Sequence, residues 1–209
     1  MKEIEAPKLY KQFFIDKKDE RKDLFFKLKT RYSAKKGLYP GSFVHITPSI
    51  YIEEMLYIDS DKRMKKFFNG DSVSNYIDSI KEYNEDSKIG LIQDDFNRDL
   101  PIPEKYYDIM FSFYSGFISQ SCKAYLKPNG ILVCNNSHGD ASVAILDEDY
   151  EFIGVVKRTG DKFTLSYNNL NKYFIKRDGS IIDRVKVIDN MAGEKFTIEC
   201  FAYIFRKLN

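Results

Sequence analysis

Tryptophan is absent from this chain of 209 residues, histidine occurs twice and cysteine three times. Each scarcity removes a class of function. Cys122, Cys134 and Cys200 are widely spaced and odd in number, with no C-x-x-C pair and no Cys/His cluster. That excludes a zinc site or a disulfide framework as the organising feature, and no metal is expected. Reduced thiols in a cytoplasmic protein are the expectation. No apolar run approaches the roughly 20 residues needed to span a bilayer, so no membrane partner is expected. The opening residues 1–10 lack the apolar core of a signal peptide. Neither sign of charge dominates: 33 Lys and Arg stand against 31 Asp and Glu, a formal +2, which excludes a polyanion binder of the whole-surface kind. Internal repeats and low-complexity segments are missing too.

What is there fits an ordinary globular domain. Hydrophobic residues make up 43% and charged residues 31%, enough for a full core in a chain of this length. The aromatic share is all Phe and Tyr. The charge is uneven, because residues 1–36 carry twelve Lys and Arg against six Asp and Glu. A basic arm on a mildly acidic body follows.

Apolar spacing predicts a helix over 8–32, with Tyr10, Phe14, Arg21, Phe25, Leu28 and Tyr32 near one face and the charged run Asp16 to Asp23 mostly in water. A short strand then meets the Pro40-Gly41 turn. Glu54 to Asp59 reads as a buried strand ending in an acid. Helices are predicted from Asp61 to Phe68 and over about 72–84. Further strands are predicted at 89–93, 108–113 and 131–134, with a helix around Phe117 to Leu126 between the last two. Alternating strands and helices imply a parallel sheet covered on both faces. The tail reads differently. Residues 151–157, 162–167 and 196–206 look like strands with little helix between them, an antiparallel edge. The fold class expected is α/β, a Rossmann-like sheet of mostly parallel strands with helices on both faces and an antiparallel C-terminal edge. Residues 1–36 would form a helical extension and 37–209 the α/β domain.

Several passages carry a family resemblance. Tyr125-Leu-Lys-Pro-Asn-Gly-Ile-Leu-Val133 resembles the helix–turn–fifth-strand passage of the class I S-adenosylmethionine-dependent methyltransferases. Asp94 to Pro101, followed by Tyr107-Asp108-Ile-Met, resembles their third-strand loop and the entry to the fourth strand. Ile58-Asp59 resembles their second strand with its terminal acid. The resemblance covers roughly residues 36–135. It implies a methyltransferase of unknown acceptor with S-adenosylmethionine as cofactor. In that reading Tyr39, Pro40, Gly41 and Ser42 pass under the methionine part. Asp59 and Ser60 face the ribose, Asp94, Asp95 and Phe96 the adenine, and Ser112 stands beside them. Two family features are missing. The loop after the first strand has one glycine where the family has a G-x-G-x-G pattern, and Ser112-Phe-Tyr-Ser-Gly-Phe117 replaces the Asp/Asn-Pro-Pro-Tyr motif of amino-methylating members.

Read without the family, the same residues have plainer roles. Asp59 or Asp61 caps the next helix, Asp94-Asp95 makes an acidic turn, and Pro40-Gly41 makes a tight one. Asn135-Asn-Ser-His-Gly-Asp140 is the densest polar run in the chain. His138 has the chemistry of a base near neutral pH, and Asp140 could orient it or cap a helix over 141–146. In the methyltransferase reading Asn135, Asn136 and Ser137 would face the acceptor, as would Tyr114, which is otherwise plain loop; His45 either lines the same cleft or is a hydrogen-bonded structural histidine. Lys27, Lys29, Arg31, Lys35 and Lys36 are interleaved with Phe26, Leu28 and Tyr32. They read either as a nucleic-acid surface or as the favoured cations at a helix C-terminus. The alternatives to an enzyme are a catalytically inactive methyltransferase-like protein that binds nucleic acid or a protein through this arm, and a nucleic-acid module. A nucleotide-dependent oxidoreductase is the weakest rival, since G-x-G-x-x-G is missing.

Overall fold

Lys36–Pro40 forms β1, the strand that organises the rest. Four of its five residues are buried, as expected for a strand covered on both faces. In the computed structural model, which describes residues 4–209, β1 pairs in parallel with β2 (Glu54–Ile58) on one side and β4 (Tyr107–Ser112) on the other. β3 (Lys88–Ile92) extends the sheet beyond β2, and β5 (Leu126–Cys134) lies beyond β4, both parallel. Three antiparallel pairings follow. β8 (Ala202–Lys207) lies between β5 and β6 (Tyr150–Thr159), and β7 (Lys162–Ser166) forms the edge. The full order is β3-β2-β1-β4-β5-β8-β6-β7.

Successive residues of each central strand feed two cores. Tyr39, Tyr57, Ile109, Phe111 and Val133 face one cluster, and Leu38, Ile58, Met110, Leu132 and Cys134 the other. The first core is closed by α1 (Lys8–Tyr10), α2 (Lys22–Tyr32), α3 (Arg63–Phe68) and α4 (Ser72–Ile80). The second is closed by α5 (Ile118–Ser121), α6 (Asp140–Ala144) and the segment that carries α7 (Arg184–Asn190). Among the described residues, no helix is long and apolar enough to cross a membrane.

The N-terminal segment belongs to the first core. Leu24, Phe25 and Leu28 are fully buried, and Phe25 meets Phe111 edge to face at 5.1 Å. The single helix expected over 8–32 is broken. A π turn at Lys11–Ile15 follows α1, and the chain then kinks through Lys18 and Arg21, both at positive φ, before α2 starts. The expected helix up to Leu126 is also shorter, ending as α5 and one 3-10 turn, with Lys127 to Gly130 inside β5. The tail holds a helix that its β-branched residues concealed. Asp183 caps α7 by accepting from the Lys186 amide at 3.1 Å. The last strand begins at Ala202, not near 196.

Candidate functional site

An open parallel sheet binds ligands where its strand order reverses, at the carboxyl ends of the strands. Here that point lies between β1 and β4. The loops after β1, β2, β3, β4 and β5 converge on it.

The loop after β1 turns at Gly41, whose φ is +65°. Its amide donates to the Ile58 carbonyl at 2.7 Å, and its carbonyl accepts from Ser115 Oγ at 2.9 Å. A Cβ on Gly41 would stand 2.2 Å from that Oγ, so glycine is required for both the dihedral and the close approach. Tyr39, Pro40 and Ser42 are buried around the turn. Asp59, at the end of β2, accepts from the Phe43 amide on Oδ2 (2.7 Å) and from the Asp61 amide on Oδ1 (2.9 Å). It therefore ties the first loop to the second. Each carboxylate oxygen offers about two acceptor directions, so each keeps one free. Ser60 is exposed, and Asp61 caps α3 through the Arg63 amide.

After β3, Asp94 accepts from the Asp95 amide and from Arg98, and Asp95 accepts from the Asn97 amide and side chain. Both form the acidic turn that the sequence suggests. Phe96 lies next to the loop after β4: a Cβ on Gly116 would be 3.7 Å from its ring.

The ends of β4 and β5 are knitted together. Ser112, buried, donates to Asp140 Oδ2, and the Ser119 amide donates to Oδ1 at 3.0 Å. Asp140 is 2% exposed, and burial pushes its carboxyl up to about 6, although both donors favour the charged form. Asn135 Oδ1 accepts from the Tyr114 amide (3.2 Å) and from Ser137 Oγ (3.0 Å). Asn136 Oδ1 accepts from the Ser142 amide at 3.0 Å, and its amide donates to the Glu194 carbonyl. Tyr114 is 53% exposed with φ +63°. A cleft of about 350 Å³ lies there, lined by Tyr114, Asn135, Ser137, Lys195 and Phe201 among others.

Two expected roles are revised by this geometry. Asp140 orients α5 and β4 rather than His138, whose Nδ1 pairs with Ser137 Oγ at 3.0 Å. His45 does not line the cleft. It is 1% exposed, stacked on Phe14 at 4.1 Å. Its Nε2 faces the Glu20 carbonyl (3.1 Å), so that nitrogen carries the proton and Nδ1 accepts from the Tyr39 hydroxyl (3.0 Å). Burial holds this imidazole down at about 3.

The basic stretch is dispersed. Lys27 bonds Asp23 and the Phe163 carbonyl, Arg31 lies over Tyr167, and Lys36 sits 3.6 Å above the Tyr106 ring. Lys35 and Lys36 stand at the amino end of β1, away from the converging loops. Among the described residues, no group of three or more His, Cys, Asp or Glu is placed to hold a metal ion. The sequence places Arg21 near the apolar face of the N-terminal helix without a site role, and it gives no role to Phe201, in the approach to β8.

No family model matches the sequence, and no curated protein matches it. Solved structures do. A methyltransferase from Geobacter sulfurreducens superposes with a TM-score of 0.50 over 77% of this chain and 87% of its own, at 13% identity. The fold is a methyltransferase fold. In this fold β8 lies antiparallel beside β5, after five parallel strands. The YcgJ protein of Bacillus subtilis is similar over 60% of this chain (17% identity, TM-score 0.39), and the chain spans about half, 54%, of that protein. The O-methyltransferase TomG of Streptomyces achromogenes, solved in complex with SAM, is similar over 78% of this chain and 88% of its own (11% identity, TM-score 0.48).

Proposed function

We propose that the protein is an S-adenosylmethionine-dependent methyltransferase. The observation that carries this reading is the methyltransferase strand order with an acid, Asp59, at the end of β2 beside the switch point. The donor set suits the nucleoside. Asp59 keeps one free acceptor direction on each oxygen, which matches a ribose diol. Phe96 offers an apolar face, Asp94 or Asp95 an acceptor for an exocyclic amine, and Gly116 leaves the space beside Phe96 without a side chain. Gly41, Ser42 and the Ser112 end of β4 border the amino-acid end. When bound, the cofactor supplies an electrophilic methyl group on a sulfonium.

The chain's own residues then have separable tasks. The stitched loops after β1 and β2 hold Asp59 in a fixed orientation before any ligand arrives, which lowers the cost of ordering. Tyr114, Asn135 and Ser137 border the acceptor cleft, and His138, next in the chain to Ser137, supplies the imidazole that would take a proton from an acceptor. Methyl transfer needs mainly in-line placement, so this is a small catalytic apparatus.

The rival reading is a protein that has kept the fold and lost the cofactor. The engagement of Asp59 by Phe43 and of Gly41 by Ser115 favours it. Calorimetric titration separates the two. The methyltransferase reading expects micromolar binding of S-adenosylmethionine and S-adenosylhomocysteine, weakened at least tenfold in Asp59→Asn. Folded protein that gives no heat and no thermal shift with either compound sinks it.

A further inference from the structure

Arg21 is the least explained side chain in the molecule. It comes from the kinked N-terminal segment, with a backbone φ of +59°, and its side chain is only 7% exposed. Its guanidinium bonds Asp19 Oδ2 through Nη2, and the Tyr39 hydroxyl lies beside it. Nε is buried and has no partner, the only such side-chain atom among the described residues. Buried arginine donors are normally satisfied, and an orphan needs a reason.

The surroundings supply one. The guanidinium is held among aromatic rings, 5.6 Å from the Phe113 centroid, 5.4 Å from Tyr114 and 5.5 Å from Phe201. Phe113 and Tyr114 are the first residues after β4, at the switch point. Tyr114 and Phe201 also line the cleft of Asn135 and Ser137, so Arg21 stands directly behind the acceptor side. A second cleft of about 350 Å³ opens on Arg21 itself, bordered by Ile15, Lys22, Arg158 and Phe163. Tyr114 is half exposed and at positive φ. Asp19 meets the arginine fork through Oδ2 and Nη2 alone, while its other oxygen accepts from Arg158 at 2.9 Å.

We propose that Arg21 is an acceptor-binding residue that receives a carboxylate, so that the acceptor is a small carboxylic acid with a planar or apolar body. This deepens the methyltransferase reading and rests on it for the word acceptor. A carboxylate's two oxygens match the edge of a guanidinium, and the orphan Nε–H is the donor such a pair would use. The ring walls suit a flat group better than a tetrahedral phosphate.

The test uses benzoate as probe, with benzamide and inorganic phosphate as controls, followed at the Arg21 Nε–H resonance of the full chain. Benzoate should shift that resonance with saturation in the millimolar range, and neither control should. Arg21→Lys, which keeps the charge and loses the fork, should weaken benzoate at least tenfold. A parallel titration with S-adenosylhomocysteine should be unchanged by Arg21→Lys. No shift at Arg21 with benzoate, or an equal shift with benzamide or phosphate, overturns the proposal, and the native-protein titration decides this even if the variant fails to fold. Benzoate binding without any S-adenosylhomocysteine binding would keep the carboxylate site and remove the methyltransferase reading. The opposite pattern would do the reverse.

Discussion

Asp140 and His45 are both buried, and burial moves their proton affinities in opposite senses. The Asp140 carboxyl is held up at about 6 and the His45 imidazole down at about 3. The Arg21 charge also disfavours the imidazolium. A carboxyl whose folded value is raised contributes stability below its unfolded value, near 3.8, and loses it as pH rises through about 6. An imidazole whose folded value is lowered contributes above its unfolded value, near 6.5, and loses it as pH falls. Between pH 4 and 6 each group changes stability by about 1.4 kcal/mol per pH unit, with opposite sign, and the two cancel. Asp19, Asp23, Asp78 and Asp108 act below this window. Against a burial penalty, hydrogen-bonded cations and, for some, backbone amides hold them under their ordinary value. The native protein should therefore be nearly level in stability from pH 4 to 6. Asp140→Asn keeps an oxygen for Ser112 and removes the falling contribution. Its stability should rise by about 3 kcal/mol from pH 4 to 6, the His45 contribution exposed. Urea unfolding followed by far-ultraviolet circular dichroism reads this directly. With m of about 2 kcal/mol/M, the variant's midpoint should climb by about 1.5 M relative to the native protein across the window. A variant whose pH dependence runs parallel to that of the native protein refutes the reasoning.

Three further outcomes follow. Gly41→Ala should cost about 2–4 kcal/mol in urea unfolding, from positive φ and the 2.2 Å approach to Ser115, and Ser115→Gly in the same chain should return the steric part but not the backbone part. Phe25→Ala should cost about 3–5 kcal/mol, because its ring is fully buried against Phe111. A loss under about 1 kcal/mol would mean the N-terminal segment is dispensable to the core. Replacing Lys35 and Lys36 by Gln should leave S-adenosylhomocysteine affinity within twofold, since both lie at the amino end of β1. A larger change by calorimetry would move the site.

The parallel half of the sheet was legible because short apolar runs bounded by turn residues coincide there with strands buried on both faces. Leu38, Tyr57, Met110 and Leu132 fall where the strand pattern puts them. The convergence of Asp59, Phe96, Ser112 and Asn135 followed from that order alone. The kink at Lys18 and Arg21 was not legible. Helical spacing puts Arg21 on the inward face of the charged run Asp16 to Asp23, but nothing local shows the break in the helix or the three aromatic rings from distant segments that Arg21 meets. The helix α7 was hidden because Val185, Val187 and Ile188 favour strands locally, and the Asp183 cap decides otherwise. For His45 the sequence left cleft and structural roles open, and the structural one holds, because tertiary packing brings Tyr39 and Glu20 to satisfy both ring nitrogens. Asp140 was read as a helix cap or an orienter of His138, and no local signal points to Ser112, 28 positions earlier.

The most direct test of the account is a crystal structure of the protein grown with S-adenosylhomocysteine. The account predicts the ribose diol within hydrogen-bond distance of Asp59, the adenine against Phe96, and the homocysteine sulfur toward Tyr114 and Asn135. Clear density for the protein with no ligand between the ends of β1, β2 and β4 at millimolar S-adenosylhomocysteine, or ligand bound elsewhere, would contradict it.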